Sequence, residues 1–299
     1  MPALILDGKK IAEEIKREIK AETDKLKSQY GIIPGLAFIL VGNNPASESY
    51  VKMKNKACNE IGFFSITEKL PDKTEQDFLT DLINKYNRDP LIHGILVQLP
   101  LPEHLNSDKI IEVIDPRKDV DGFHPINVGK LVIGLDCFKP CTPAGIQELL
   151  KRYGIKTTGK HIVILGRSNI VGKPAANIFL QKENFANAIV TIVHSAADDI
   201  IKYTRQADIL ICATGKAEFV NSDMIKKDAI VIDVGINRIP DSKSKSGYKI
   251  VGDVDFASVS KIASAITPVP GGIGPMTIAM LLSNTLKAAK NFTNAYIKI

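Results

Sequence analysis

Two groups of residues in this chain have types and spacings that can do chemistry. The first is a glycine turn set between an apolar run and a helical one, Lys160-His-Ile-Val-Ile-Leu-Gly166-Arg-Ser-Asn-Ile-Val-Gly172. A turn of this kind lets backbone N–H groups approach a pyrophosphate, and the helix that follows adds a partial positive charge. Ser168 stands where a second glycine would complete G-x-G-x-x-G, so the turn is a variant of that pattern. The second group is a scatter of polar side chains nearer the N-terminus. Tyr50 and Lys54 are spaced to share one helix face, Gln98 closes an apolar run, and Asp119 and Asp121 sit in the loop beyond it. Singly, each has a plainer account: an exposed pair among the alternating Lys52, Lys54 and Lys56, a strand end, and turn chemistry.

The apolar run after the glycine turn indicates which dinucleotide the turn would hold. It ends in Val193-His194-Ser195, with no Asp or Glu placed to take a ribose 2′-hydroxyl. Arg167 and Ser195 can donate to a 2′-phosphate instead, and a planar guanidinium suits that doubly charged group. NADP is therefore expected over NAD, with Asp198 and Asp199 read as caps of the next helix.

The elements that must position these residues alternate. Asp7 can cap a helix with Ile11, Ile15, Ile19 and Leu26 on one stripe, stopped by Gly31 and Pro34. A strand over 36–41, a helix opened by Asn44-Pro45, a strand over 63–70, a helix over 74–89 and a strand over 93–98 follow. After a turn-rich stretch with a short helix near 108–114, Cys141-Thr142-Pro143 reads as a cap with proline at the first helical position, launching a linking helix through Tyr153. A second series then places strands at 160–165, 188–193, 208–213 and 229–234 and a short one at 265–266. These strands run into Gly166-Arg167-Ser168, His194-Ser195, Ala213-Thr214-Gly215, Asp233-Val234-Gly235 and the 267–275 turn, so small and polar residues gather at the carboxyl edge of one parallel sheet. A closing helix is expected from Pro275 onward.

Composition narrows the class. At 299 residues, two domains are expected, and 44% hydrophobic with 24% charged residues is ordinary for a globular protein. The net charge of +6 is spread along the chain and Trp is absent, so neither basic stripes nor stacking platforms point to nucleic acid. No apolar run approaches the roughly 20 residues that span a bilayer, and Met1–Lys10 lacks the features of a signal peptide. Cys58, Cys137, Cys141 and Cys212 form no C-x-x-C pair and have no His at zinc spacing. Reduced thiols, no metal and a cytoplasmic setting are expected.

Seven stretches, in order, carry a resemblance. They are Pro45-Ala-Ser-Glu-Ser-Tyr-Val-Lys-Met-Lys54, Gly94-Ile-Leu-Val-Gln-Leu-Pro-Leu101, Lys118-Asp-Val-Asp-Gly122, Pro140-Cys-Thr-Pro-Ala-Gly145, Gly166-Arg-Ser-Asn-Ile-Val-Gly-Lys-Pro174, Asp233-Val-Gly-Ile-Asn-Arg238 and Thr267-Pro-Val-Pro-Gly-Gly-Ile-Gly-Pro-Met-Thr277. Together they resemble the bifunctional methylenetetrahydrofolate dehydrogenase/methenyltetrahydrofolate cyclohydrolase family over nearly the whole chain. The resemblance implies an α/β fold of two domains. Residues 1–142 with 276–299 would form a catalytic, folate-binding domain, and residues 143–275 a Rossmann-like, doubly wound NADP-binding domain, in a homodimer.

It also implies roles, matched residue by residue. Lys54 corresponds to the catalytic lysine, able to take the proton of an attacking water, with Gln98 holding its amine. Asp121 corresponds to the acid that binds the pterin, and Tyr50 to the ring that stacks on the folate. Pro270, Gly271 and Gly272 would bring backbone against the substrate. Gly166, Arg167, Ser168, Gly172, Ser195, Thr214, Gly215, Ile236 and Thr277 would line the cofactor. Ala196-Ala197-Asp198 departs from the basic residue and Thr often found there. A dehydrogenase without the hydrolytic step and a nucleotide sensor without turnover remain as alternatives.

Overall fold

The computed structural model describes residues 2–242, 244 and 247–297, with 294–297 as backbone alone. The chain opens with β1 (Leu4–Ile5) and α1 (Gly8–Tyr30), followed by β2 (Gly35–Val41), α2 (Pro45–Glu60), β3 (Phe64–Leu70), α3 (Gln76–Arg88) and β4 (Gly94–Val97). Two short helices, α4 (Ser107–Val113) and α5 (Pro125–Val132), lead to α6 (Cys141–Arg152). A second alternation runs β5 (His161–Leu165), α7 (Gly172–Leu180), β6 (Ile189–Val193), α8 (Ile200–Thr204), β7 (Ile209–Cys212) and β8 (Ile230–Asp233). A hairpin of β9 (Asn237–Pro240) and β10 (Tyr248–Val251), the single turn α9 (Phe256–Val259), β11 (Ala265–Ile266) and α10 (Ile273–Ile297) complete it.

The chain divides into two compact units, one of Glu14–Lys139 with Ile278–Ile299 and one of Met1–Glu13 with Pro140–Thr277. In the first, β2 lies between β3 and β4 in a three-stranded sheet, parallel to both. Every residue of β2 is buried, which is why Gly35–Val41 reads as an unbroken apolar run rather than an alternation. Leu79, Ile83 and Tyr86 form the buried stripe of α3 and pack with Ala37, Ile39 and Ile95. A fully buried Leu or Ile in such a layer contributes about 1.5–3 kcal/mol.

The second unit holds a parallel six-stranded sheet in the order β1-β11-β8-β7-β5-β6. Val163, Leu165, Leu210, Val231 and Ile266 are among its core. The expected division put all of residues 1–142 in one domain, yet β1 pairs Leu4 with Ala265 and Ile5 with Ile266 in this sheet. Two residues, both more than 40% exposed, leave no periodic signal from which such a pairing can be read.

In both sheets the strand order reverses, beside β2 in one and beside β5 in the other. After β2 the chain lays β3 on one side and β4 on the other, and after β5 it lays β6 on one side and β7 on the other. Open α/β sheets bind ligands outside the carboxyl ends of the strands at such a reversal, here β2/β4 and β5/β7.

Local signals behave largely as expected. The Lys10 N–H donates to Asp7 Oδ1 at 2.9 Å, and Gly31 takes a positive φ of 68° at the end of α1. One expected cap differs. The helix α6 begins at Cys141 with no side-chain cap, and the Thr142 hydroxyl lies 2.9 Å from that of Thr277, a tertiary partner in place of a local one. The helix α5 was not expected; His124 caps it by accepting from the Ile126 N–H at 3.1 Å, with Pro125 at its start.

Candidate active site

In the first unit the site is built on α2. Asn44 Oδ1 accepts from the Ala46 and Ser47 N–H groups, and Pro45 starts the helix. The buried positions of α2 are Ser47, Val51, Lys54, Ala57 and Cys58, so Lys54 lies on the apolar stripe. It is only 8% exposed, whereas Lys52 and Lys56 face solvent. Its amine donates to Gln98 Oε1 at 3.1 Å, and the Gln98 amide NH₂ donates to the Leu99 carbonyl at 2.7 Å. That second bond orients the amide with its oxygen toward the lysine. The Gln98 N–H is itself held by the Ile39 carbonyl, at the carboxyl ends of β2 and β4. Among the described residues the lysine's partner is a neutral amide, and no carboxylate pins it as an ion pair.

Burial pushes the Cys58 thiol, one turn beyond, up to about 12, with the Lys54 charge opposing. The thiol is therefore packing rather than a nucleophile.

The loop after β4 separates the two acids that spacing left equivalent. Asp119 is 1% exposed and accepts from the Phe123 and His124 N–H groups and the Asn127 side chain. Burial raises its pKa against those hydrogen bonds, and its lone pairs are spent on the turn into α5. Asp121 is half-buried, as is Tyr50 one turn before Lys54. The loop is fixed to β4, since the Ile95 N–H donates to the Lys118 carbonyl at 2.8 Å and a Cβ on Gly94 would sit 2.7 Å from Val120. Asn284 of α10 ties the same segment by donating to the Val120 carbonyl at 2.8 Å. A cavity of about 200 Å³ elsewhere in this unit, between Arg117, Phe138, Lys287 and Phe292, is not lined by Tyr50, Lys54, Gln98 or Asp121.

In the second unit the turn after β5 is tight. Gly166 has φ 131°, and a Cβ there would lie 2.2 Å from the Ala213 carbonyl oxygen. A Cβ on Gly172, at the start of α7, would lie 2.2 Å from the Gly166 oxygen. Ser168 Oγ accepts from the Val171 and Gly172 N–H groups at 3.1 and 3.4 Å, which accounts for a serine where a glycine was the alternative. Arg167 is exposed with a guanidinium nitrogen 3.3 Å from His194 Nε2, and exposed Ser195 follows directly. Asp199, not either cofactor candidate, caps α8 by accepting from the Lys202 N–H at 3.0 Å.

The remaining expected cofactor residues also stand at this edge. Ile236 is 45% exposed after β8, and the Thr277 hydroxyl meets Thr142. The backbone N–H groups of Thr214 and Gly215 both donate to Asp253 Oδ2, at 2.6 and 2.9 Å. Pro270 is exposed, Gly271 has φ 108° and accepts from the Lys9 N–H at 2.8 Å, and a Cβ on Gly8 would lie 1.9 Å from the Gly272 oxygen. Gly271 is thus required by its backbone conformation, and Gly272 by packing, since a Cβ there would lie 2.6 Å from the Pro268 carbonyl oxygen. Sequence reasoning did not single out Asp253, because its partners lie 38 and 39 positions away.

The donor set at β5/β7 fits a phosphorylated dinucleotide: a glycine turn without Cβ hindrance, the N-terminus of a nine-residue helix, and a guanidinium beside a hydroxyl. With a buried lysine–amide pair at the second sheet reversal, fold and site define an α/β dinucleotide-binding enzyme.

The chain belongs to the tetrahydrofolate dehydrogenase/cyclohydrolase family. The model of that family's catalytic domain matches residues 6–121, and the model of its NAD(P)-binding domain matches residues 140–293. The chain is 57% identical over 293 residues to the bifunctional protein FolD of Chlorobium phaeovibrioides, covering 97% of this chain and 99% of that one. The FolD crystal structure from Campylobacter jejuni, a methylenetetrahydrofolate dehydrogenase/cyclohydrolase, is 54% identical with a TM-score of 0.91 over 97% of this chain and 99% of that one. The Trypanosoma brucei enzyme, solved with NADP and an inhibitor, is 39% identical with a TM-score of 0.93 over 98% and 99%.

Proposed function

We propose that the chain oxidises 5,10-methylenetetrahydrofolate to 5,10-methenyltetrahydrofolate with NADP and then hydrolyses the methenyl product to 10-formyltetrahydrofolate. The observation that carries this reading is the buried Lys54 amine, held 3.1 Å from Gln98 in a chain whose two halves match the two domains of the family. Bound NADP supplies the acceptor for the hydride. Every other part falls to residues of the chain.

Oxidation leaves a cationic methenyl carbon, and hydrolysis needs water to add there while a proton leaves. Lys54 is assigned the proton transfer, because among the described residues its amine meets a neutral amide oxygen and no carboxylate, so no ion pair holds it away from the attacking water. Gln98 holds that amine, and its own orientation is set by Leu99. Asp121 is assigned the donor edge of the pterin, Tyr50 the face of the folate rings, and Pro270, Gly271 and Gly272 a backbone wall against the substrate.

On the cofactor side Gly166, Gly172, Thr214, Gly215, Ile236 and Thr277 line the dinucleotide, with Ser168 shaping the turn. Arg167 and Ser195 hold the 2′-phosphate. The absence of a carboxylate at the end of β6 and the NADP bound to the Trypanosoma brucei relative support NADP over NAD.

The reading extends to the setting. We assign the chain to the cytoplasm, consistent with four free cysteines, and no described helix is long and apolar enough to cross a membrane. A homodimer without a nucleic-acid partner is part of the same proposal, supported by the sheet edge at β6 with Ile189 63% exposed, and light scattering checks its mass.

The central experiment mixes purified protein with methylenetetrahydrofolate and NADP and follows NADPH and the methenyl chromophore together. NADPH formation with little standing methenyl product is expected. NADPH with methenyl accumulating would leave a dehydrogenase alone, and absence of NADPH would leave a sensor.

A further inference from the structure

The carboxyl edge of the six-stranded sheet contains two buried carboxylates that none of the assigned roles uses. Asp253 is 0% exposed and Asp233 3% exposed. Asp253 Oδ2 accepts from both Thr214 and Gly215, while its Oδ1 accepts from the Asn237 side chain at 2.9 Å. The Asp253 N–H donates to Asp233 Oδ1 at 2.9 Å, and Asp233 also accepts from the Gly235 and Val254 N–H groups. The Asp233 N–H in turn donates to the Thr267 hydroxyl at 2.7 Å. Two carboxylates and one hydroxyl thus join the segments that leave β7, β8 and β11.

Two glycines are required by the same packing. A Cβ on Gly235 would lie 2.2 Å from Asp253 Oδ1, and one on Gly252 would lie 1.7 Å from Asp233 Oδ2. The consequence reaches the sheet reversal. The Ala213 oxygen, immediately before the two clamped N–H groups, already limits what can stand at Gly166. The 213–215 turn and the Gly166 turn therefore face each other across β5/β7 with no slack, and the position of one is set by a carboxylate on a third segment.

We propose that Asp253 is a positioning residue for the dinucleotide: it touches no ligand but fixes the 213–215 turn against the Gly166 turn so that both accept the cofactor. The proposal rests on the NADP-dependent reading above. A carboxylate is suited to the task because one oxygen takes two backbone donors while the other takes a third, with no hydrogen of its own to place. Asparagine can keep the oxygen that takes the two backbone donors, but its amide nitrogen then faces that of Asn237, which also donates to the Gly252 carbonyl at 3.2 Å, so Asp253→Asn is a conservative but partial replacement.

The test compares Asp253→Ala and Asp253→Asn with the unaltered chain. For Asp253→Ala we expect NADPH affinity, read by the fluorescence of the bound nucleotide, to weaken roughly tenfold or more. In the cofactor-free protein, backbone hydrogen exchange at Thr214 and Gly215 should accelerate. Hydrolysis of methenyltetrahydrofolate supplied directly, a step without redox chemistry, should stay within about twofold, since the 1.4 kcal/mol of a tenfold change would mark real damage. Asp253→Asn, which keeps the oxygen facing Thr214 and Gly215, should recover part of the NADPH affinity.

Unchanged NADPH affinity in Asp253→Ala would overturn the proposal. So would loss of nucleotide binding and hydrolysis together in a folded alanine variant, which would make Asp253 a general structural residue; if the alanine variant does not fold, Asp253→Asn decides, since a residual weakening of NADPH binding with faster exchange at Thr214 and Gly215 supports the clamp, and a weakening without faster exchange there overturns it. Should the unaltered chain lack activity, the functional reading fails separately, because the nucleotide titration and the exchange measurement still test the clamp.

Discussion

At the residue scale the chemistry depends on two cationic side chains in opposite settings. Lys54 is buried against a neutral amide, whereas Arg167 is exposed beside His194. Replacing Lys54 by alanine removes the group assigned to proton transfer but leaves the hydride path without a lost reactant. Cyclohydrolase activity should fall by roughly 10²–10⁴, the range typical of a removed general acid or base, while part of the dehydrogenase activity survives. A methenyl chromophore that builds up during NADPH formation would show this directly, and equal losses in both assays would count against it. Arg167→Ala should act on binding: a charge-assisted bond to a phosphate contributes about 1.5–3 kcal/mol, so KM for NADP should rise on the order of 10- to 100-fold. KM for NAD, which has no 2′-phosphate, should barely move; a matching rise would reject the contact.

At the element scale, α2 carries both Tyr50 and Lys54 and is aimed by the Asn44 cap. Asn44→Ala should cost about 1 kcal/mol, visible as a lower urea midpoint. Because the cap lies in the first unit, KM for the folate should rise more than KM for NADP, and the reverse order would separate the cap from the site. Elements such as β2 and β5 through β8 were legible because each is an apolar run bounded by glycine, proline or polar turns. The hairpin β9/β10 was not, since Asn237–Pro240 is a four-residue stretch of mixed polarity, half-buried and exposed by turns and ending in proline, with no apolar run to mark it as a strand. The site was legible to a similar depth. Spacing alone put Lys54 among exposed lysines and left Asp119 and Asp121 equal; resemblance to a family pointed to Lys54 and Asp121. Only three-dimensional packing shows Lys54 on a buried stripe, Asp119 consumed by a turn, and Asp253 gripping a distant one.

At the scale of the whole molecule, buried titratable groups make stability depend on pH with opposing signs. His93 is 6% exposed, and burial, aided by the Lys118 charge, lowers its pKa from 6.5 to about 4, with Asp89 opposing. Above pH 6.5 the ring is neutral whether the chain is folded or not, and its contribution is fully present. As pH falls from 6.5 toward about 4 the unfolded chain binds a proton that the folded one refuses, so stability is lost through that window. Asp233 works the other way. Burial raises its pKa from 3.8 to about 6, so stability is lost as pH rises from 3.8 to about 6, where the unfolded chain ionises before the folded one, and is regained as pH falls back through that window; the raised Asp119 acts in the same sense. The acid profile of the unaltered chain is the sum of these, and one variant isolates the histidine. His93 Nδ1 accepts from the Gly35 N–H at 3.0 Å, an acceptor that asparagine can supply without a titrating ring. His93→Asn should melt lower at pH 8, where it forfeits the ring's edge contact with Phe292. Between pH 6.5 and 4 its melting temperature should then fall less steeply, by an amount corresponding to roughly 3 kcal/mol at the bottom of the range. Hydrogen exchange should place the difference in β2 and β4, the strands on either side of that contact. Melting curves that run parallel to the unaltered chain across the window would mean that His93 already protonates in the folded state and that the acid sensitivity lies elsewhere.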